Sequence, residues 1–344
     1  MKAAVNRELI NRICVDSAKI SGVRMSDAGM SEASLLHPSL VDYWNFGGKS
    51  NSDEDRDTIK GIKGGILTAY NFGWRLGSGY GLYGTDFGTQ WNDTDASYGK
   101  IINSTIAHTD KVGSGLYVIA YSTLIVFADN FKGRITGMPE GYSLYIGYAT
   151  NLYLVSPTNG EWSINKADIP YLVPEGSPES NAKYNGGFKI MKTGQLGGGA
   201  EVPADVTIEL MPYCPGAIVF DGVDDYLEFD QTGYKIGTIV CRHTPLKVVN
   251  WSFVYDIQDE RRFIGYENTM NRISHNFDRI DKLGDYVIFR NSISTAANSF
   301  ATIGCMNRGS LSNFIGMALY DIALYEDFLT NTEIEKEITK MQSL

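Results

Sequence analysis

Two apolar runs of strand length, separated by an acidic reversal, make up the segment GAIVFDGVDDYLEF at residues 216–229. Short runs rich in β-branched and aromatic side chains favour strands. Between the runs, Gly222 can adopt the positive φ that a tight reversal often requires. Side chains such as those of Asp221, Asp224 and Asp225 hold turns by accepting hydrogen bonds from nearby backbone N–H groups. The segment therefore predicts a strand–turn–strand unit within a fold built from β-strands.

The same three aspartates are open to a second interpretation, a calcium site. Ca²⁺ takes about six to eight oxygen ligands, and clustered carboxylates supply some of them. Three carboxylates are too few, so further donors would have to come from distant loops, where Asp86, Asp93 and Asp95 are candidates. We favour the turn interpretation and keep calcium as the alternative; no other cofactor is expected.

The composition also favours strands. The chain of 344 residues contains 37 glycines, 21 tyrosines and 15 phenylalanines, which is typical of antiparallel β structure with many turns. Residues 131–212 have a rhythm of their own, with a Pro-Glu-Gly turn at 139–141 and a Pro-Thr-Asn-Gly turn at 157–160 between apolar runs. Asn-Gly between apolar runs is a strong hairpin signal. We expect residues 131–212 to form a small β-sandwich, inserted in an all-β domain made of residues 39–130 and 213–344.

The N-terminal stretch predicts a short amphipathic helix over residues 1–20, because Val5, Leu9 and Ile13 recur every four residues. Its apolar stripe needs a surface to cover it, either the chain's own domain or a partner protein. The stretch that follows is linker-like, so residues 1–38 together form a predicted N-terminal helical anchor.

The C-terminal end predicts a second helix. Thr330 followed by Glu333 fits a capping box. Beyond it, Ile334, Ile338 and Met341 supply one apolar face. This helix is expected to close the all-β domain.

Charge and missing motifs argue against several classes of function. A formal net charge of −10 without a basic stripe repels phosphate backbones, so no nucleic-acid partner is expected. No segment approaches the ~20 apolar residues of a membrane span, and the N-terminus lacks the apolar stretch of a signal peptide. We therefore expect neither membrane insertion nor export by the usual route. The four cysteines share no CxxC spacing, so no zinc site is expected. We favour buried free thiols and keep disulfides as the alternative. No paired carboxylates or nucleophile–base motif indicate a catalytic residue.

Three pieces of the chain resemble LamG-like jelly rolls of the concanavalin type. They are the unit at residues 216–229, the late IGMALYDIALYEDFLTNTEIEKEI, which is similar to the last strand and closing helix of such domains, and SLVDYWNFGG with the later AYNFGW. The resemblance implies a LamG/concanavalin-like jelly-roll sandwich over residues 39–130 and 213–344. The layout with an inserted sandwich is similar to that of virion- or fibre-associated proteins encoded by bacteriophages of gut Bacteroidales. The family implies a sugar-binding or adhesive role.

Aromatic side chains are the candidates for glycan binding, since sugars stack on aromatic faces. Trp91 lies in a long polar stretch flanked by Tyr80, Tyr83 and Tyr98, and Trp162 lies next to the turn at 157–160. For Trp162, packing in the core of the small sandwich is the favoured alternative.

Three functional hypotheses follow from the resemblance. The first is a non-enzymatic structural protein of the virion, a head- or tail-attached fibre or appendage subunit. It would bind other virion proteins through Val5, Leu9 and Ile13, contribute to host attachment, and form a homo-oligomer, dimer or trimer, as symmetric fibres commonly do. The second is a lectin-like carbohydrate-binding module for host surface glycans. The third is a glycan-cleaving enzyme, which needs two facing carboxylates.

Overall fold

The computed structural model of the chain describes most of its second half and part of its first. The described residues are 36–74, 77–84, 87, 92–93, 99–103, 105–109, 118–120, 130–148, 151–165, 168, 186–194, 205–248, 251–257, 262–267, 273–292, 300–307 and 310–344. The predicted N-terminal helix with Val5, Leu9 and Ile13 lies outside these residues, and so do Trp91 and Tyr98.

Strands dominate the described residues, and one helix follows them. In chain order the strands are β1 (Leu40–Asn45), β2 (Thr58–Lys60), β3 (Ile66–Tyr70), β4 (Gly79–Tyr80), β5 (Asn92–Asp93), β6 (Gly99–Ile101), β7 (Ile106–Thr109), β8 (Val118–Ala120), β9 (Asn130–Thr136), β10 (Tyr142–Tyr148), β11 (Asn151–Ser156), β12 (Gly160–Asn165), β13 (Gly186–Lys192), β14 (Thr207–Met211), β15 (Ile218–Asp221), β16 (Tyr226–Phe229), β17 (Thr238–Lys247), β18 (Ser252–Ile257), β19 (Arg262–Tyr266), β20 (Ile273–His275), β21 (Arg279–Leu283), β22 (Tyr286–Arg290), β23 (Ala301–Ile303), β24 (Met306–Asn307), β25 (Leu311–Ser312) and β26 (Gly316–Tyr325). Helix α1 is Asn331–Met341. The all-β class predicted from the sequence is confirmed.

The first sheet has seven antiparallel strands in the order β21-β22-β17-β26-β15-β4, and β1 also pairs with β26. Strand β26 is its central strand. One edge of β26 pairs with β17, while the other edge pairs with β15 over Gly316–Leu319 and with β1 over Asp321–Tyr325. Nine of the ten residues of β26 are buried, which requires cover on both faces of the sheet.

The second sheet also has seven strands, in the order β2-β3-β16-β23-β18-β19-β20. It shares one apolar core with the first sheet. Phe220 and Phe289 reach this core from the first sheet, and Leu227, Phe229 and Tyr255 from the second. The two sheets therefore pack face to face, as sandwich layers do.

Helix α1 covers the outer face of the first sheet with Ile334, Ile338 and Met341. The predicted capping box is confirmed, since the Thr330 hydroxyl accepts from the backbone N–H of Glu333 and the Glu333 carboxylate accepts from the backbone N–H of Thr330. The residues are helical where the sequence predicts them because cap and apolar stripe are both local signals.

Two further sheets take all their strands from between Asn92 and Met211. Their orders are β11-β10-β13-β8-β5 and β12-β9-β14-β7-β6. They share a second core, which includes Leu144, Trp162 and Ile208. Strands β5 to β8, which sequence analysis assigned to residues 39–130 of the larger domain, pair here. The predicted boundary at residue 131 therefore separates strands that the structure pairs, because pairing partners lie far apart along the chain.

The hairpin predicted at the 157–160 turn is wrong, and the strands on either side of the turn predicted at 139–141 do not pair with each other either. Strand β9 pairs with β12 and β14, and β10 pairs with β11 and β13, so each turn crosses from one sheet to the other. The side chain of Asn159 joins the two crossings, since it accepts from the Met138 N–H at 2.8 Å and donates to the Met138 carbonyl at 2.7 Å. Asn159 thus links the turn at 157–160 to the turn at 139–141.

Among the described residues, no helix, α1 included, is long and apolar enough to cross a bilayer. Cys214, Cys241 and Cys305 are free and buried, as the sequence predicted. The fourth, Cys14, lies outside the described residues.

Candidate functional site

The acidic turn of the FDGVDDY segment crosses the sandwich between its two sheets. Strand β15 ends at Asp221 in the first sheet and β16 begins at Tyr226 in the second. Asp225 lies between them and is fully buried. Its carboxylate accepts the backbone N–H of Asp221 at 2.9 Å and the hydroxyl of Ser78 at 3.1 Å. Asp221 in turn accepts the backbone N–H of Val223 at 2.7 Å. These bonds hold the turn.

Gly222 occupies the one position of this turn where a side chain has no room. Its φ is +74°, and a Cβ there would lie 2.7 Å from the backbone nitrogen of Gly316, the first residue of β26. Both conditions require glycine. The turn therefore packs directly on β26, the central strand of the first sheet.

The calcium alternative has a partial donor set. One oxygen each from Asp221, Asp224 and Asp225 lies within 4.8 Å of the others. Both oxygens of Asp225 already accept hydrogen bonds from the protein, and burial raises the pKa of this carboxyl to about 7. Both facts weaken Asp225 as a cation ligand. The side chains of Asp86, Asp93 and Asp95 lie outside the described part of the chain. The contacts support the turn interpretation, and calcium stays a prediction.

Two of the aromatic candidates for glycan binding are core residues. Tyr80 is 4% exposed, stacks on Trp74 at 5.6 Å between ring centres, and donates its hydroxyl to the Arg56 carbonyl. Trp162 is 5% exposed and packs on Phe188 at 5.3 Å. Neither ring presents a face to a sugar, which corrects the glycan-binding prediction for Tyr80. For Trp162 the favoured alternative, packing in the core of the small sandwich, is confirmed. The alternation of strand β12 turns the Trp162 ring inward, and Tyr80 joins the core of the two large sheets.

Tyr83 lies half-buried against the second core, and burial raises the pKa of its hydroxyl. Trp91 and Tyr98 lie outside the described residues. Of the three candidates that the structure describes, Tyr80 therefore belongs to the first core, while Trp162 and Tyr83 belong to the second or pack against it.

A cleft of about 770 Å³ opens instead where the two large sheets part, beside strands β17, β20 and β21. In the described residues its lining is Arg242, His243, Thr244, Pro245, Tyr266, Ile273, Lys282, Asp285, Val287 and Tyr320. Its volume falls within the range of about 300–1,000 Å³ that is typical of small-ligand pockets. Sequence analysis did not identify these residues.

The irregular shape of strand β17 explains why the lining residues were not predicted. A regular strand sends successive side chains to opposite faces, yet four successive residues, 242–245, line the cleft. The pairing of β17 with β26 shifts register after Arg242 and again after Pro245, and such irregularities redirect side chains. Pro245 within an apolar run is the signal that could have indicated the irregular strand, since proline removes a ladder donor.

The floor of the cleft is a buried polar chain. The Nε2 atom of His243 lies 2.9 Å from the Tyr266 hydroxyl, and its Nδ1 atom lies 3.5 Å from the Cys241 sulfur. Burial lowers the pKa of His243 to about 4 and raises the pKa of the Cys241 thiol. At neutral pH both groups are therefore uncharged, which is unlike a thiolate–imidazolium pair prepared for nucleophilic attack.

The wall of the cleft is built around an ion pair. Arg242 donates a hydrogen bond from Nε to Asp321 at 2.9 Å, and its terminal nitrogen forms an ion pair with the same carboxylate oxygen at 2.7 Å. The guanidinium lies over the rings of Tyr286 and Tyr320, 5.6 and 5.0 Å from their centres. Asp321 is 1% exposed, and burial raises the pKa of its carboxyl to about 6 even with Arg242 beside it. This arrangement fixes the Tyr320 ring at the cleft.

Comparisons with known proteins add no relative. Searches against protein-family models, curated proteins and solved structures find no match to this chain.

Proposed function

We propose that this chain is a non-enzymatic structural and adhesive component of a bacteriophage particle, a fibre or appendage subunit, built on a LamG-like jelly roll with a β-sandwich inserted in it. The observation that carries the proposal is the nesting of the sheets. Strands up to Tyr80 and from Ile218 onward make the two large sheets and the small sheet of β24 and β25, while the described strands from Asn92 to Met211 pair only among themselves. The same nesting characterises the proteins that the sequence resembles.

The state of the buried titratable groups supports a non-enzymatic role. Asp225 closes a turn, Asp321 pairs with Arg242, and Cys241 and His243 are uncharged at neutral pH. General acid–base catalysis works best with a group whose pKa lies near the working pH and that can reach a substrate. Asp225 has such a pKa, but it is enclosed by the turn it holds.

The proposed anchor would leave the large domain beside helix α1. Leu36 packs into the cluster that this helix covers, and the backbone N–H of His37 donates to the buried carboxylate of Glu337 at 2.8 Å. Residues before 36 therefore start from a point that is held against the helix.

The experiment is a mass-spectrometric protein inventory of purified phage particles from the source of this sequence, with light scattering of the purified chain to measure its oligomeric state. The proposal expects the chain at stoichiometric amounts and a dimer or trimer in solution. Removal of residues 1–20, or Leu9→Asp in the apolar stripe, should abolish incorporation. Asn11→Asp adds the same charge on the polar side of the predicted helix and should leave incorporation unchanged. A chain absent from particles contradicts the proposal.

The cleft favours a second function, carbohydrate binding. It combines aromatic side chains with polar groups that are fixed in place, which is the composition of small-ligand sites. Binding of the purified chain to a glycan array tests this function without reference to the particle. The glycan-cleaving hypothesis has no comparable support among the described residues, since the carboxylates at the cleft are Asp285 on its rim and Asp321, which is paired with Arg242.

A further inference from the structure

We propose that the cleft lined by Arg242, His243, Thr244, Tyr266, Lys282 and Tyr320 is a binding site for a neutral saccharide, in preference to a sialylated, uronic or sulfated one. This inference rests on the proposed adhesive function and names its site and its ligand class. Three properties of the cleft carry it: its charge balance, the free hydrogen-bonding capacity of its floor, and its apolar walls.

Among the described lining residues, the charges at the cleft cancel. Arg242 contacts one carboxylate oxygen of Asp321 through a hydrogen bond from Nε and an ion pair from its terminal nitrogen. On the rim, Lys282 and Asp285 are both exposed and bear opposite charges. A carboxylate or sulfate ligand would therefore find no surplus positive charge in the described lining, and it would lose hydration without a partner. A neutral ligand avoids this loss.

The floor of the cleft can both donate and accept hydrogen bonds. The Tyr266 hydroxyl can donate one hydrogen bond and can also accept hydrogen bonds. Its contact with His243 uses only one of these capacities. Whichever nitrogen of His243 bears the proton, the hydroxyl keeps further capacity toward the cleft that it lines. The hydroxyl groups of a saccharide both donate and accept, so they satisfy this floor in either arrangement. Tyr266 is 4% exposed, so the group is held in place before a ligand arrives.

The walls supply apolar contact. Tyr320, Ile273 and Val287 line the cleft, and the stacking of Arg242 on the Tyr320 ring holds that ring in place at 5.0 Å. The C–H faces of sugars pack on such surfaces, while their edges bear the hydroxyls. Walls that are apolar and a floor that is polar therefore suit a ligand with both characters.

The experiment measures binding of the purified full-length chain to lactose, maltotriose and chitotriose, and to sialyllactose and a galacturonic acid trisaccharide, by saturation-transfer NMR and calorimetry at millimolar ligand. We expect binding to at least one neutral saccharide and at least about tenfold weaker binding to the acidic ones. Tyr266→Phe removes the hydroxyl and should weaken binding about fivefold to tenfold, as the loss of one hydrogen bond does. Thr244→Trp, at an exposed rim position on β17, should weaken it by at least as much through occlusion.

Tyr226→Phe is the matched control. Tyr226 stacks on Tyr70 at 4.9 Å in the second sheet and is not among the lining residues, so this variant should bind as the wild type does. Because Thr244 is exposed, its substitution keeps the test valid if Tyr266→Phe disturbs folding, which circular dichroism detects. Binding to acidic saccharides only, to none of the saccharides, or equally by wild type and Thr244→Trp overturns the inference. The particle inventory reports on the proposed function separately, so either can fail alone.

Discussion

Asp225 closes the turn that Asp221 begins: its carboxylate accepts the backbone N–H of Asp221 at 2.9 Å, and with this bond the chain passes from the first large sheet to the second. The Ser78 hydroxyl donates to the other oxygen of the same carboxylate from a residue 147 positions earlier. A buried carboxyl group with two hydrogen bonds therefore links three parts of the large domain.

This carboxyl group makes stability depend on pH. Burial raises its pKa to about 7 in the folded chain, against about 3.9 when unfolded. Between these values the folded state binds more protons than the unfolded state, so the free energy of unfolding falls as pH rises from about 4 through about 7. Urea unfolding should show a less stable protein at pH 8 than at pH 5, and Asp321, whose pKa is raised to about 6, adds a contribution of the same sign.

Asp225→Asn should reduce this pH dependence, because its amide stays neutral while it can still accept from Asp221 and donate to Ser78. Asp224→Asn, at an exposed position of the same turn, should change the dependence much less, because its charge is the smallest of the causes that raise the pKa of Asp225. Parallel pH profiles for the wild type and Asp225→Asn would show that Asp225 does not titrate as the structure indicates.

A second prediction separates two costs at Gly222. Alanine there meets a positive φ and the backbone nitrogen of Gly316 at 2.7 Å. At Gly233 the φ is +85°, and nothing lies within 4 Å of an added Cβ. Gly233→Ala should cost about 1 kcal/mol of stability for the conformation alone, and Gly222→Ala about 1–3 kcal/mol more for the clash. Thermal denaturation of the two variants measures the difference, and equal losses would refute the close packing of the turn on β26.

A third prediction concerns the ion pair of Arg242 and Asp321. Arg242→Met leaves a carboxylate that is 1% exposed without its partner and should destabilise the chain by about 3 kcal/mol. The double variant Arg242→Met/Asp321→Leu should recover most of this loss, since replacing a whole buried pair with apolar groups is often neutral. Denaturant unfolding of the single and double variants tests the coupling; strictly additive losses would mean that the pair does not interact.

A fourth prediction concerns the start of helix α1. Thr330→Ala removes the capping hydroxyl and should cost about 1 kcal/mol. Thr332→Ala, two residues further on at an exposed position, removes the same groups without a cap and should change stability by less than about 0.5 kcal/mol. Chemical denaturation of both variants checks this, and an equal effect would show that the cap contributes nothing.

Local signals predicted local structure well. The capping box at Thr330, strands β15 and β16, and the turn at Gly222 between them are predicted from neighbouring residues, and each depends on hydrogen bonds or side-chain type within a few positions. The same reasoning failed at the turn around Asn159, where a strong hairpin signal joins two strands of different sheets. A turn sequence specifies a reversal of the chain, and the partners of its strands depend on the rest of the fold.

The sequence by itself determined the all-β class, the positions of strands β15, β16 and β26, and the residues that hold the acidic turn, because periodicity and turn chemistry act over short distances. Only the tertiary structure decided which strands share a sheet, that Tyr80 and Trp162 are buried, and that a cleft forms around Arg242 and Tyr266. These features depend on pairings between residues far apart in the chain, such as Arg242 with Asp321, and such pairings leave no pattern in any single stretch of sequence.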